Sequence, residues 1–318
     1  MTSPTNIPRP QVTWASNIEG NQSYYYNNKA AFYLNDVVDI IGGLKISAGL
    51  SYTIAQDYFH YNTSNDIKYS NSQNGVAFRV GPIYYLTPDW TVYSSYATTF
   101  VPQNYPHSED GVTVYPAKPL QGNQIEVGTK YAVTNQASIT AALYQLTETN
   151  VLVTSSDPIL AAQGVMEQIG EARSRGLELD FAYRPLPGWD ITASYAYTSA
   201  KVISDTNIAN LNHQFANVPY NAGSIWSTYE FQDGFLKGFG VGAGLHAQSS
   251  SPIATNSIYR LPAWAEVNAL LYYKYDGWRF SANITNLFNT RYYQSSTGFN
   301  NVFVGQPLTV AFRIQKQF

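Results

Sequence analysis

The chain has no cysteine in 318 residues, which excludes disulfides, thiolate metal sites and cysteine nucleophiles together. Charge is nearly as scarce. Only 12% of residues are Asp, Glu, Lys or Arg, about half the share of an ordinary soluble domain. The net charge is −3 and no Lys/Arg cluster stands out, so nucleic acid is set aside as a partner. No stretch approaches the roughly eighteen apolar residues of a membrane helix. Met1 to Gly20 lack the basic start and apolar run of a secretion signal. His60, His107, His213 and His246 are scattered, none at metal-ligand spacing, and there is no nucleophile elbow. We therefore expect no enzyme, no catalytic residue, no resident cofactor and no protein metal site.

What the chain does have is aromatic: 27 Tyr, 6 Trp and 15 Phe. Tyr85, Tyr131, Tyr183, Tyr229 and Tyr275 each stand just before a short turn, at steps of 46, 52, 46 and 46 residues. Three of the turns end on a tryptophan, Trp90, Trp189 and Trp278. Amphipathic rings settle at the headgroup level of a membrane, so paired aromatics at one end of every hairpin predict the girdle of a transmembrane β-barrel.

Turn signals fall at Gly42-Gly43, Thr87-Pro88-Asp89, Thr134-Asn135-Gln136, Pro185-Leu186-Pro187-Gly188, Asp233-Gly234 and Asp276-Gly277. Between them lie polar segments near 60–74, 101–122, 151–172, 201–219, 248–262 and 294–306, read as long loops. Short turns alternating with long loops predict about thirteen antiparallel strands of an all-β outer-membrane barrel, turns periplasmic and loops extracellular. The strands alternate accordingly. Leu177, Leu179, Phe181 and Tyr183 interleave with Glu178, Asp180, Ala182 and Arg184, and Trp278, Phe280, Ala282 and Ile284 with Arg279, Ser281, Asn283 and Thr285. A soluble sandwich has the same alternation with the opposite sense, and only the girdle favours lipid. A β-propeller also repeats at 40 to 50 residues, but no blade signature recurs here.

Four motifs in order carry a family resemblance. Gln124-Ile125-Glu126-Val127-Gly128-Thr129-Lys130-Tyr131, then Gly170-Glu171-Ala172-Arg173-Ser174-Arg175-Gly176-Leu177-Glu178-Leu179, then Asn217-Val218-Pro219, and finally Asn283-Ile284-Thr285-Asn286-Leu287-Phe288-Asn289-Thr290-Arg291-Tyr292-Tyr293 with Gly305-Gln306-Pro307 and a terminal strand together resemble TonB-dependent outer-membrane receptors of the ferrichrome-type siderophore branch. The resemblance implies a 22-stranded barrel around a plug, taking up a ferric siderophore with iron only as cargo. It places residues 23–318 in the C-terminal part of that barrel behind an irregular lead over 1–22, with the plug absent. The TonB energy-coupling complex would act only through the missing N-terminal region. Thirteen strands are an odd number, so an open sheet with two edges is expected. A porin-like channel, or a receptor for a cobalamin or a glycan, is the competing reading.

On this reading the ligand-contact candidates are Tyr105, His107 and Tyr115 in one loop and Phe299 and Phe303 in the last. Phe318 is the expected barrel-assembly signal, with Lys316 on the lipid face near the boundary. Gly240, Gly242 and Gly244 lie on an inward face and would leave room inside the barrel or relieve crowding. Glu171, Arg173 and Arg175 are expected in a lumen salt-bridge network. Outer-membrane lipid and a ferric siderophore are the expected partners.

Overall fold

The computed structural model describes residues 22–62, 67–103, 106–107, 115–154, 159, 166–205, 208–298 and 301–317. Its strands are β1 (Gln22–Ile41), β2 (Leu44–Asn62), β3 (Ile67–Thr87), β4 (Trp90–Val101), β5 (Pro106–His107), β6 (Tyr115–Pro116), β7 (Leu120–Thr134), β8 (Ala137–Thr154), β9 (Met166–Leu186) and β10 (Trp189–Ser204). They continue as β11 (Asn221–Glu230), β12 (Phe239–Gln248), β13 (Ser251–Pro252), β14 (Arg260–Leu261), β15 (Trp264–Tyr275), β16 (Trp278–Thr285), β17 (Tyr293–Thr297), β18 (Asn301–Val304) and β19 (Thr309–Lys316). Thirteen of them form one sheet in chain order, from β1 to β4, then β7 to β12, β15, β16 and β19. The other six make three small hairpins, β5–β6, β13–β14 and β17–β18.

Every ladder in the large sheet is antiparallel and joins chain neighbours. Among the described residues no ladder joins β1 to β19, so the sheet is open with two edges, as expected from an odd strand count. The short turns fall where the sequence puts them. Gly42 and Gly43 have φ of 53° and 84°, and Asp276 and Gly277 have 45° and 72°. Positive φ at both central residues matches the right-handed twist of the flanking strands, which is why glycine and aspartate are needed there.

Two of the segments read as loops are half strand or more. β2 and β3 run on to Asn62 and from Ile67, and β8 and β9 to Thr154 and from Met166, so strand takes up most of the polar stretch 60–74 and half of 151–172.

Register carries the alternation across the sheet. Val127, Leu143, Leu177 and Tyr197 form one cross-strand row, and Glu126, Tyr144, Gly176 and Thr198 form the next row on the opposite face. The apolar face has no protein over it: Leu179 is 38% exposed, Phe280 44% and Phe312 82%. In a sandwich a second sheet would cover these side chains. The buried hydrophobic cluster lies instead at the loop end of β8 to β10, where Ile169, Ala172 and Val202 pack with Val151, Val153 and Phe215. We call the apolar face outward and the polar face inward.

Candidate ligand-facing wall

The inward face is a fabric of phenols, carboxylates and cations. On β4 and β7 the Tyr93 hydroxyl donates to Glu126 at 2.8 Å, and Gln124 donates to the same carboxylate at 2.9 Å. Near the short-turn end Glu230 accepts from the Tyr272 hydroxyl at 2.7 Å and from the Lys274 ammonium at 2.5 Å, while Arg279 lies 4.3 Å from the centre of the Tyr272 ring.

Three inward glycines are explained by the rings beside them. A Cβ on Gly240 would overlap the Tyr272 ring, and one on Gly244 the Trp226 ring, with Gly242 also tight against Trp226. The stripe Gly240, Gly242 and Gly244 therefore leaves no empty space for a lumen occupant. Neighbouring aromatics fill it, and crowding relief is the physical reason for the glycines.

At the loop end the inward face carries a tighter group. Trp264 stacks on Tyr292 with ring centres 4.2 Å apart, and His246 meets Trp264 edge-on at 4.9 Å. The Tyr292 hydroxyl donates to Glu266 at 2.7 Å. Burial and then this carboxylate hold the phenol on its proton, pushing its pKa from 10.0 up to about 12. The Trp264 indole N–H is buried and has no partner among the described residues. Stacked aromatic faces beside a carboxylate-bound phenol can pack against a flat, oxygen-rich ligand.

Two asparagines hold the loops over this end. Asn286 is fully buried at φ 52°, and its side chain donates to Thr290 O at 2.9 Å and Gln306 O at 2.8 Å while accepting from Thr290 N at 2.8 Å. Asn217, also at positive φ, exchanges bonds of 2.8 Å with the backbone of Ser296, and the Ser296 hydroxyl donates to Ile253 O at 2.7 Å. These bonds tie three loops, around residues 217, 253 and 296, into one rim.

The sequence candidates are placed unevenly. Tyr105, Phe299 and Phe318 lie outside the described residues. His107 and Tyr115 are backbone register partners in the β5–β6 pair, and half-exposed Phe303 sits opposite Ser295 in the separate β17–β18 pair. The Trp264, Tyr292, His246 and Glu266 group was missed. Its signal was present, since Trp264, Glu266 and Asn268 alternate with the outward Ala265 and Val267.

Of the girdle candidates, Trp90 and Tyr131 pair across β4 and β7 with rings 5.7 Å apart. Trp189 pairs with Tyr229, and Tyr275 with Trp278. These six and Tyr183 lie on the outward face at the short-turn end. Tyr85 does not. It pairs with Thr91 on the inward face, and its ring lies under the Lys45 ammonium, 5.7 Å from the centre. Tyr84 is the outward ring there. Tyr85 stands three residues before its turn whereas Tyr131 and Tyr183 stand four before theirs, and an odd displacement reverses the face. Lys316 lies outward as expected, its ammonium donating to Asp276 O at 2.6 Å beside the Trp278 ring.

The Glu171, Arg173 and Arg175 group is also corrected. Arg175 pairs with Gln145 and Ser199, and Arg173 with Thr147 and Lys201, in the rows that continue Leu177 and Leu179. Both arginines are therefore on the outward face, not in the lumen.

Residues 2–287 match the family described as TonB dependent receptor-like, beta-barrel. The chain belongs to the TonB-dependent receptor β-barrel family. Among relatives of this family it is 31% identical to a metal-pseudopaline receptor of Pseudomonas aeruginosa over 76% of its own length and 33% of that protein. It is also 31% identical to the ferrichrome outer membrane transporter/phage receptor of Escherichia coli, over 69% of this chain and 29% of that one. The chain thus spans about a third of these curated relatives. Among solved receptor barrels, the siderophore receptor PiuA of Acinetobacter baumannii superposes with a TM-score of 0.75 at 22% identity, covering 91% of this chain and 43% of that one. The ferric yersiniabactin uptake receptor FyuA of Yersinia pestis gives 0.78 at 18%, covering 94% and 47%. Members of the TonB-dependent receptor family are outer-membrane proteins, and the uncovered apolar face is the surface such a location requires.

Proposed function

We propose that the chain is the C-terminal wall of a receptor that imports a ferric siderophore, hydroxamate-type by preference, through the bacterial outer membrane. The observation that carries this reading is the inward aromatic and acidic group at the loop end, Trp264, Tyr292, His246 and Glu266, under a rim of hydrogen-bonded loops. Relatives named as ferrichrome and ferrioxamine B receptors support the hydroxamate class. Iron enters as cargo, and the wall itself needs no cofactor and performs no bond chemistry. Outward side chains meet lipid.

An open sheet in hydrocarbon leaves two rows of backbone N–H and C=O groups unpaired, each costing several kcal/mol. The remaining strands, the plug and the segment that engages TonB are accordingly assigned to polypeptide outside these residues. The test is uptake of radiolabelled ferrichrome by iron-starved cells that carry the complete reading frame and no other receptor for it. TonB-dependent accumulation supports the proposal. Accumulation without TonB would point to a passive channel, and none with any hydroxamate chelate would remove the assignment.

A further inference from the structure

Among the described side chains, and apart from Asp36 on the edge strand β1, the outward face of the large sheet carries little charge between its two ends, with one local exception. Arg173 of β9 stands directly opposite Lys201 of β10, and Arg175 opposite Ser199. Three cations thus occupy two adjacent rows on neighbouring strands, with Gln145 and Thr147 of β8 completing those rows. Arg175 donates to Gln145 at 2.6 Å. Among the described residues neither Arg173 nor Lys201 has an ion pair or side-chain hydrogen bond. Glu171, opposite Thr149, is the acid one row beyond.

Like charges directly opposed across a ladder destabilise it, so the arrangement calls for an anion. Its height identifies the anion. The girdle residue Tyr183 marks one boundary of the apolar band, and Arg173 lies ten residues along the same strand. With a rise of about 3.3 Å per residue and a tilt of about 40°, ten residues climb roughly 25 Å, the height of the apolar band of a barrel. Of the intervening outward residues Phe181, Leu179 and Leu177 are apolar, and Arg175 lies two residues, about 5 Å, inside Arg173, within snorkelling reach of the boundary. Arg173 and Lys201 therefore stand at the headgroup level of the leaflet on the loop side, which is the external leaflet.

We propose that Arg173, Arg175 and Lys201 form a binding site for the phosphate groups of a phosphorylated glycolipid of the outer leaflet. Guanidinium forks pair with phosphate oxygens two at a time, and the ammonium supplies a third donor set. The site rests on the outward face and the barrel's location, not on the cargo, so it stands whichever chelate the receptor imports.

The test is lipid retention by the complete receptor purified in mild detergent and read by native mass spectrometry, with bisphosphorylated lipid A as the probe. Each cation near an anionic lipid surface strengthens binding about fivefold, so R173Q/K201Q should lower retention about 25-fold. The charge-conserving R173K/K201R should retain most of it and shows that the barrel still folds. K316Q, at the opposite boundary, should change nothing. Dephosphorylated lipid A, which loses the contribution of all three cations, should bind the wild type about fivefold more weakly than intact lipid A binds the double variant. Equal retention by the double variant, equal binding of the dephosphorylated lipid, or preference for an anionic glycerophospholipid would overturn the proposal. So would displacement of the lipid by millimolar inorganic phosphate alone. Ferrichrome uptake measured on the same variants separates this site from the transport reading.

Discussion

Replacing Asn286 with alanine tests whether the loop rim is built on one buried side chain. The substitution removes three side-chain hydrogen bonds of 2.8 to 2.9 Å and strands Thr290 O, Gln306 O and Thr290 N beneath a fully buried position. Each lost bond costs about 0.5–1.5 kcal/mol net. Alanine at φ 52° adds about 1 kcal/mol, because asparagine tolerates the left-handed region and alanine does not. The total is roughly 3–5 kcal/mol, concentrated where the β16 exit meets the segment leading into β19. Hydrogen exchange of the complete receptor in lipid reads it directly, with protection around Thr290 and Leu308 falling by two orders of magnitude or more while β7 to β10 are unchanged. Asn286→Gly separates the two terms, since glycine accepts the backbone angle and should recover about 1 kcal/mol. Asn286→Asp keeps the acceptor for Thr290 N but faces two carbonyls with an oxygen, so it should be no better than alanine. Wild-type protection in the alanine variant, or a neutral aspartate, would refute the account.

Three further outcomes follow from the faces of the sheet. Leu179→Arg should cost about 2–4 kcal/mol of barrel stability, while Thr192→Arg on the inward face of the adjacent strand should cost less than 1; urea unfolding in lipid vesicles compares them, and equal costs would reverse the assignment of faces. Gly244→Leu should destabilise by about 1–3 kcal/mol through collision with Trp226, and Trp226→Ala in the same chain should relieve part of it; additive losses would mean the ring does not fill the glycine stripe. Glu148, beyond the apolar band, has its pKa raised by burial, so the folded state disfavours its charge. Its contribution is fully present below the ordinary carboxylate range and is lost as pH rises through the raised folded value. Glu148→Gln should therefore stabilise at neutral pH and not at pH 3, and a gain that is the same at both would contradict the cause given.

Much of the fold was legible because the alternation of lipid and water faces is written residue by residue. Every short turn was found, since Gly42-Gly43 and Asp276-Gly277 need residues that accept positive φ. The errors have a common cause. Tyr85 was grouped by its nearness to a turn, and Arg173 and Arg175 by their nearness to each other, when the face is set by even or odd displacement along the strand. Counting back from Leu177 by twos puts both arginines outward without any coordinates. The rim was legible only as a motif, because the partners of Asn286 and Asn217 are backbone groups of distant loops. The inward group at Trp264 required pairing β12 with β15 and then the Tyr292 loop, information that no single strand contains.

The two edges differ in a way that constrains what completes the barrel. β1 is 20 residues long and β19 is 8, and with thirteen strands between and including them they run in the same direction. Direct closure would need a parallel ladder between partners of very unequal length, against twelve antiparallel ladders elsewhere in the sheet. Antiparallel closure requires an odd number of additional strands, the first a long one to match β1 and the last a short one to match β19. The nine strands implied by a 22-stranded relative satisfy the parity. Edge groups left bare in hydrocarbon are too costly for any other arrangement to persist, so the receptor's remaining wall must present those two unequal partners.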